Sequence, residues 1–191
     1  MAEPASRRTG RPPRLDRARI VEAAVRLADE AGLPSVTMRQ VADRVECAPA
    51  ALYRHFRRRD TLLEAMVDHA LGEVRRRPLT ASPEADLLTF VRELLAVHAS
   101  HPWLSLAPGQ RVPGPQTRAA VDHVLAVMRP HPGGERNGEA AMAVLFSLVT
   151  SAARWRRESE ARAEEPDGAV ELTDTATARV VVAAVAGVLA M

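Results

Sequence analysis

From Asp16 to the C-terminus, apolar residues recur at the 3.6-residue period of a helix, and prolines and glycines cut that pattern into eight lengths. Ile20, Ala24, Leu27 and Ala31 form one stripe, closed by Gly32. Thr37 predicts the N-cap of a second helix, with Met38, Val41, Ala42 and Val45 on its inner face. Glu46, Cys47 and Ala48 make a short turn. Pro49 suits the first turn of a third helix reaching about Phe56, with Leu52 and Phe56 turned to the core. A fourth helix is expected from about Asp60 to Arg77, where Pro78 ends it. Ser82, Pro83, Glu84 and Asp86 supply a cap, an N1 proline and first-turn acids for a fifth, which His101-Pro102 breaks. Further helices are expected from Gln116 to Arg129, from Asn137 to Glu164, and from Thr173 or Asp174 to the end. No stretch reads as strand, so the expected fold class is all-α.

Aromatic residues are only 3% of the chain, and Ala, Val and Leu carry most of its 47% hydrophobic content, which favours close-packed helices. A chain of 191 residues can bury a core without disulfide or metal staples. All 26 basic residues are Arg, and they are unevenly spread. Residues 1–60 hold 13 Arg against 8 acidic residues, net +5, whereas 61–191 hold 13 against 16, net −3. A basic head on a mildly acidic body is what a phosphate-binding protein looks like.

Cys47 is the sole cysteine, so no intrachain disulfide can form, and a reducing cytoplasm is the expected compartment. Residues 1–15, with Arg7, Arg8 and Arg11, read as a flexible arm and lack the apolar segment of a secretory signal. The longest apolar run, Val180 to Met191, is shorter than the roughly 20 residues of a membrane span, so no membrane partner is expected.

Three short helices, two of them joined by a tight turn, have the geometry that sets one helix into a major groove. Residues 17–63, RARIVEAAVRLADEAGLPSVTMRQVADRVECAPAALYRHFRRRDTLL, resemble the DNA-binding domain of the TetR family of bacterial regulators. The likeness is densest over TMRQVADRV and ALYRHFRRRDTLL and covers about a quarter of the chain. A threonine cap, an Arg two residues on, a Leu-Tyr-x-His-Phe end and a basic residue before Leu-Leu fall in register together.

The resemblance implies roles position by position. Pro49 to His55 would be the recognition helix. Tyr53, His55 and the Thr37 hydroxyl match positions that meet phosphates, and Arg59 matches a basic residue beside the DNA backbone. Arg39, Ala50, Ala51 and Arg54 match positions that meet base edges, where Arg can fork onto guanine and Ala can pack on a thymine methyl. The sequence departs from the family pattern twice. Glu46 stands where the turn usually carries Gly, and Arg58 stands where a capping residue often precedes the fourth helix, leaving Asp60 to cap one segment later or to act on the dipole.

The remainder carries no such motif, and its role comes from the family's architecture, in which helices enclose a ligand cavity and two late helices pair with another subunit. The expected division is therefore an arm over 1–15, a helix-turn-helix DNA-binding domain over 16–60, a connecting helix over 61–78, and a helical effector-binding and dimerisation domain over 79–191. Expected partners are double-stranded operator DNA, a small-molecule effector and a second copy bound through the last two helices. Val180, Val181, Ala184, Val185, Val188 and Leu189 of the last helix, and Leu145, Phe146, Leu148, Val149 and Ala152 of the preceding one, are more apolar surface than a monomer readily covers. Pocket candidates are Phe90, Leu94, His98, Trp103, Met128, Met142, Phe146 and Trp155.

The sequence lacks a Gly-rich phosphate loop, a G-x-S-x-G and an H-E-x-x-H, and its six His are scattered without a Cys partner. No catalytic residue, cofactor or metal is expected. A ligand-responsive repressor is one reading, and an architectural or co-regulatory DNA binder without an effector is the other. A cavity in the body separates them.

Overall fold

A computed structural model describes residues 15–109, 112–131, 133–162 and 174–191. The Arg-rich arm, with Arg7, Arg8 and Arg11, lies outside the described residues, as do the break at Pro166 to Gly168 and Thr173. Among the described residues there are eight α-helices, two 3-10 turns and no strand: an N-terminal helix-turn-helix and a C-terminal helical domain. No described helix is long and apolar enough to cross a membrane.

Helix α1 (Arg17–Ala31) begins where the Asp16 carboxylate accepts from the Arg19 N–H at 2.8 Å. Ile20, Ala24 and Ala28 are buried along it, while Ala31 is exposed. The backbone escapes the helix at Gly32, whose φ of 77° disfavours a side chain. A 3-10 turn (Leu33–Ser35) leads to α2 (Met38–Arg44), capped by the Thr37 hydroxyl on the Gln40 N–H at 3.2 Å. Then come α3 (Pro49–Tyr53) and α4 (Arg59–Leu71). The C-terminal domain comprises α5 (Pro83–Ser100), a second 3-10 turn (Pro102–Leu106), α6 (Pro115–Met128), α7 (Gly134–Arg162) and α8 (Asp174–Leu189).

The fourth helix is shorter than expected. It ends at Leu71, because the Gly72 N–H is shared between the Asp68 and His69 carbonyls and tightens the last turn, after which Val74 folds back into the core. The segment from Glu73 to Arg77 is therefore not helical. At α5 the boundary falls at Ser82 as expected, but its side chain makes no cap bond. Instead Asp86 reaches back and accepts from the Thr80 N–H at 2.7 Å and the Thr80 hydroxyl at 2.8 Å. The Arg58 position caps α4 with backbone alone, and Asp60 lies in the first turn, where its charge suits the dipole.

One apolar core runs through the molecule, from Ile20, Leu52 and Phe56 through Leu62 and Met66 to Leu94, Leu145 and Val185. Helix α4 packs on α1 on one side and on α6 on the other. Helices α7 and α8 lie along each other, and α8 also packs on α5. The helix-turn-helix is thus built on the same core as the helical body.

Candidate nucleic-acid interface

The turn between α2 and α3 is a Schellman closure. The Cys47 N–H donates to the Ala42 carbonyl at 3.0 Å and the Glu46 N–H to the Asp43 carbonyl at 3.2 Å. Glu46 takes the left-handed position with φ of 56°, the one non-glycine residue to do so among the described residues. The conformation at the family's glycine position is kept although the residue is not glycine, at a cost of about 1 kcal/mol.

Helix α3 is short and turns only Leu52 fully inward, with Phe56 following it into the core. Pro49, Ala50, Tyr53 and Arg54 are exposed, Tyr53 at 49%, while Ala51 and His55 are half-buried. Arg39 on α2 and Arg57 and Arg58 after α3 are also exposed. The guanidinium groups of Arg39, Arg54, Arg57 and Arg58 make no hydrogen bond or ion pair with the described residues. An exposed helix edged by unpaired guanidinium groups can donate to phosphate oxygens and to guanine O6 and N7.

Two of the expected contacts look different in three dimensions. The Arg59 guanidinium points into the protein: Nε donates to the Val36 carbonyl at 2.6 Å and Nη2 to the Leu33 carbonyl at 2.9 Å. Arg59 thereby holds the start of α4 against the segment before α2, supplying a donor to the Val36 carbonyl and a second one to the Leu33 carbonyl, which also accepts the Val36 N–H. The Thr37 hydroxyl caps α2 and also donates to Gln40 Oε1 at 3.0 Å, so its proton already has an acceptor.

Arg17 was not legible as part of this site. Its Nη1 donates to the His55 carbonyl at 2.9 Å and its guanidinium lies 4.1 Å from the centre of the Phe56 ring. It fixes the exit of α3 from the first turn of α1. Arg44 and Glu30 form an ion pair that ties α2 to α1.

The body carries an open-mouthed cavity of about 460 Å³ lined by Val67, Leu71, His98, Thr117, Phe146 and Thr150. Of the eight pocket candidates, His98 and Phe146 line it. Leu94 and Met128 are fully buried packing residues, and Phe90 borders a separate cleft of about 100 Å³ near Arg75 and His123. Trp103 is held by its N–H to Asp29 Oδ1 at 2.7 Å, and Trp155 is 41% exposed on α7. Met142 is half-buried against the core. Helical spacing marks a residue as inward-facing but cannot separate a packed interior from a cavity wall, so six of the eight fall elsewhere. His98 Nδ1 lies 3.0 Å from the Leu94 carbonyl, and burial lowers its pKa below the ordinary histidine value. The described residues hold no His, Cys, Asp and Glu cluster able to bind a metal.

A helix-turn-helix carried on a helical body defines the architectural class. Residues 20–66 match the family model described as bacterial regulatory proteins, tetR family. The chain is 32% identical over 156 residues to an HTH-type transcriptional regulator of Saccharopolyspora erythraea, covering 78% of this chain and 66% of that one. It is 31% identical over 164 residues to the HTH-type transcriptional repressor DrrR1 of Streptomyces coeruleorubidus, covering 80% of this chain and 59% of that one. The chain thus spans slightly under two thirds of the length of these curated relatives. The structure of apo ActR from Streptomyces coelicolor superposes with a TM-score of 0.77 at 20% identity, covering 94% of this chain and 98% of that one. ActR in complex with actinorhodin gives a TM-score of 0.70 at 26% identity, covering 76% and 70%. The chain belongs to the TetR family.

Proposed function

We propose that the chain is a ligand-responsive transcriptional repressor that holds a palindromic operator as a homodimer and releases it when a small molecule enters the body. Residues 16–60 read the DNA, with the arm over 1–15 adding phosphate contacts. Residues 61–78 connect, now as α4 and the turn after it, and 79–191 hold the effector and the dimer surface. The protein works in the cytoplasm as a binding protein, with no chemistry of its own.

The observation that carries this reading is the outward face of α3, where Pro49, Ala50, Tyr53 and Arg54 stand exposed above the buried Leu52 and Phe56. Arg54 with Ala50 and Ala51 reads bases; Arg39 assists, Tyr53 and His55 position the helix on phosphates, and Thr37 holds the start of α2 as its cap. The cavity favours an effector over the architectural reading, since a purely structural DNA binder has no use for one. The ligand-bound form of ActR and the repressor name of DrrR1 support the same reading. Along α8, Val180 is 65% exposed, and Ala183, Ala184 and Gly187 are exposed too; α7 exposes Ala140, Ala143, Ser147 and Ser151. Two such strips of small and apolar residues suit a four-helix interface with a second copy.

In this mechanism the two recognition helices enter successive major grooves, with half-sites about 10 bp or a small multiple apart. Effector binding moves α4 and misaligns them. The experiment is selection of bound sequences from random duplexes, followed by titration of variants on the selected site. Arg54→Ala should weaken binding about tenfold or more and relax one base position, and Tyr53→Phe should weaken it uniformly across sequences. Unchanged affinity in both variants overturns the assignment.

A further inference from the structure

Helix α3 has five residues, too few to hold its direction by its own hydrogen bonds, so its neighbours set where it points. On the inner side, Leu52 and Phe56 enter the core. At the far end, the Leu52 carbonyl accepts both the His55 N–H at 2.9 Å and the Phe56 N–H at 3.0 Å, and the His55 carbonyl takes a donor from another helix. That donor is Arg17, whose Nη1 lies 2.9 Å from the carbonyl. The same guanidinium covers the Phe56 ring at 4.1 Å from its centre. Arg17 is itself fixed. It is the first residue of α1, whose start the Asp16 carboxylate caps and whose Ile20 and Ala24 are fully buried.

The pinned carbonyl belongs to His55, expected on a phosphate, and follows Arg54, expected on a base edge. We infer that Arg17 is a positioning residue for operator discrimination: it locks the end of α3 to α1, so that Arg54 and His55 reach a duplex in register. The inference rests on α3 being the recognition helix, as proposed above. A guanidinium suits the task, because one planar group can donate in its plane and stack with its face. With that end loosened, Arg54 keeps its charge and loses its aim at a base. Nonspecific affinity comes from charge near phosphates and persists, while the preference for the operator falls.

The test measures, for the full chain at one salt concentration, affinity for the duplex selected from random sequences and for an unrelated duplex of equal length. Arg17→Met keeps a long stem over Phe56 and removes the donor and the charge. Arg17→Lys keeps the charge and removes the planar fork. Circular dichroism establishes that each variant is folded at the temperature of measurement. Both variants should lower the ratio of operator to nonspecific affinity about tenfold, the scale of one misplaced base contact. In Arg17→Lys, nonspecific affinity should stay within about twofold of the parent, since the charge is retained. A ratio unchanged in both variants overturns the inference. So does an equal fall of both affinities in Arg17→Met that Arg17→Lys fully restores, which marks Arg17 as a plain phosphate contact. Arg54→Ala, measured alongside, separates the two readings. If it lowers the ratio and the Arg17 variants do not, the recognition helix stands and this inference fails; if none of the three lowers it, both fail.

Discussion

His101 Nδ1 lies 2.8 Å from Asp29 Oδ1, across 72 residues of chain, and the Trp103 N–H donates to that same oxygen at 2.7 Å. One carboxylate of α1 therefore takes both polar atoms that the end of α5 and the following turn would otherwise bury without partners. His101 Nε2 is 3.2 Å from Glu73 Oε2, within ion-pair distance but without a hydrogen bond, so the hydrogen bond that this ring makes is the one to Asp29. Asp29→Ala should destabilise the protein by about 1–3 kcal/mol, since the donors stay buried and lose their acceptor. Thermal unfolding should show a lowered midpoint. Asp29→Asn, which keeps an oxygen in place, should recover part of the loss, and equal midpoints for Asp29→Ala and the parent would count against the tie.

Glu46→Gly should stabilise the protein. The left-handed conformation costs a non-glycine residue about 1 kcal/mol, partly offset by the greater freedom glycine gains on unfolding. The expected change is a few tenths to about 1 kcal/mol, seen as a higher urea midpoint with an unchanged slope. Glu46→Val, β-branched at the same φ of 56°, should lower the midpoint.

Gly133→Ala should be among the most damaging single-methyl changes available. Its φ is 71°, and a Cβ there would meet the Leu189 carbonyl oxygen at 2.2 Å. The backbone before α7 packs against the end of α8 at that point, and Asn137 donates to the Val188 carbonyl at 3.3 Å beside it. Steric conflict with backbone adds to conformational strain, so a loss of roughly 2 kcal/mol or more is expected. An urea midpoint within error of the parent would mean the two helices are not pressed together there.

Stability should fall as pH drops below the ordinary histidine value of about 6.5. His98 has its pKa lowered, first by burial, and His123 likewise by burial and then by Arg76. The folded state resists protons that the unfolded chain accepts, so the unfolded state binds more of them in the window below 6.5, and stability rises with pH there. His98→Phe should flatten the part of that slope due to the buried ring. Denaturant midpoints measured from pH 5 to pH 7.5 give the comparison, and a slope of the same size in both proteins would rule His98 out.

Helix number and order were readable because each boundary is local: Gly32, Pro49, Pro83 and Pro102 act on their own backbone. The unusual conformation of Glu46 followed from the register of the family motif, which places a required φ at one position. Arg59 was not readable, since its choice between phosphate and protein depends on carbonyls 23 and 26 residues away. The same holds for Arg17, whose partner His55 is 38 residues distant, and for the cavity, where α4, α5, α6 and α7 each supply a residue or two of the wall. Periodicity reports which way a side chain faces and carries no information on whether the facing helix comes close enough to fill the space.

His98 and His101 stand one helical turn apart, and the His101 N–H still bonds to the Val97 carbonyl at 2.9 Å. The rim of the cavity and the anchor on α1 are therefore parts of one stiff rod. Pushing the rod at one histidine swings it at the other, so an occupant large enough to shift the first must either drag α1 along or tear the second from its carboxylate.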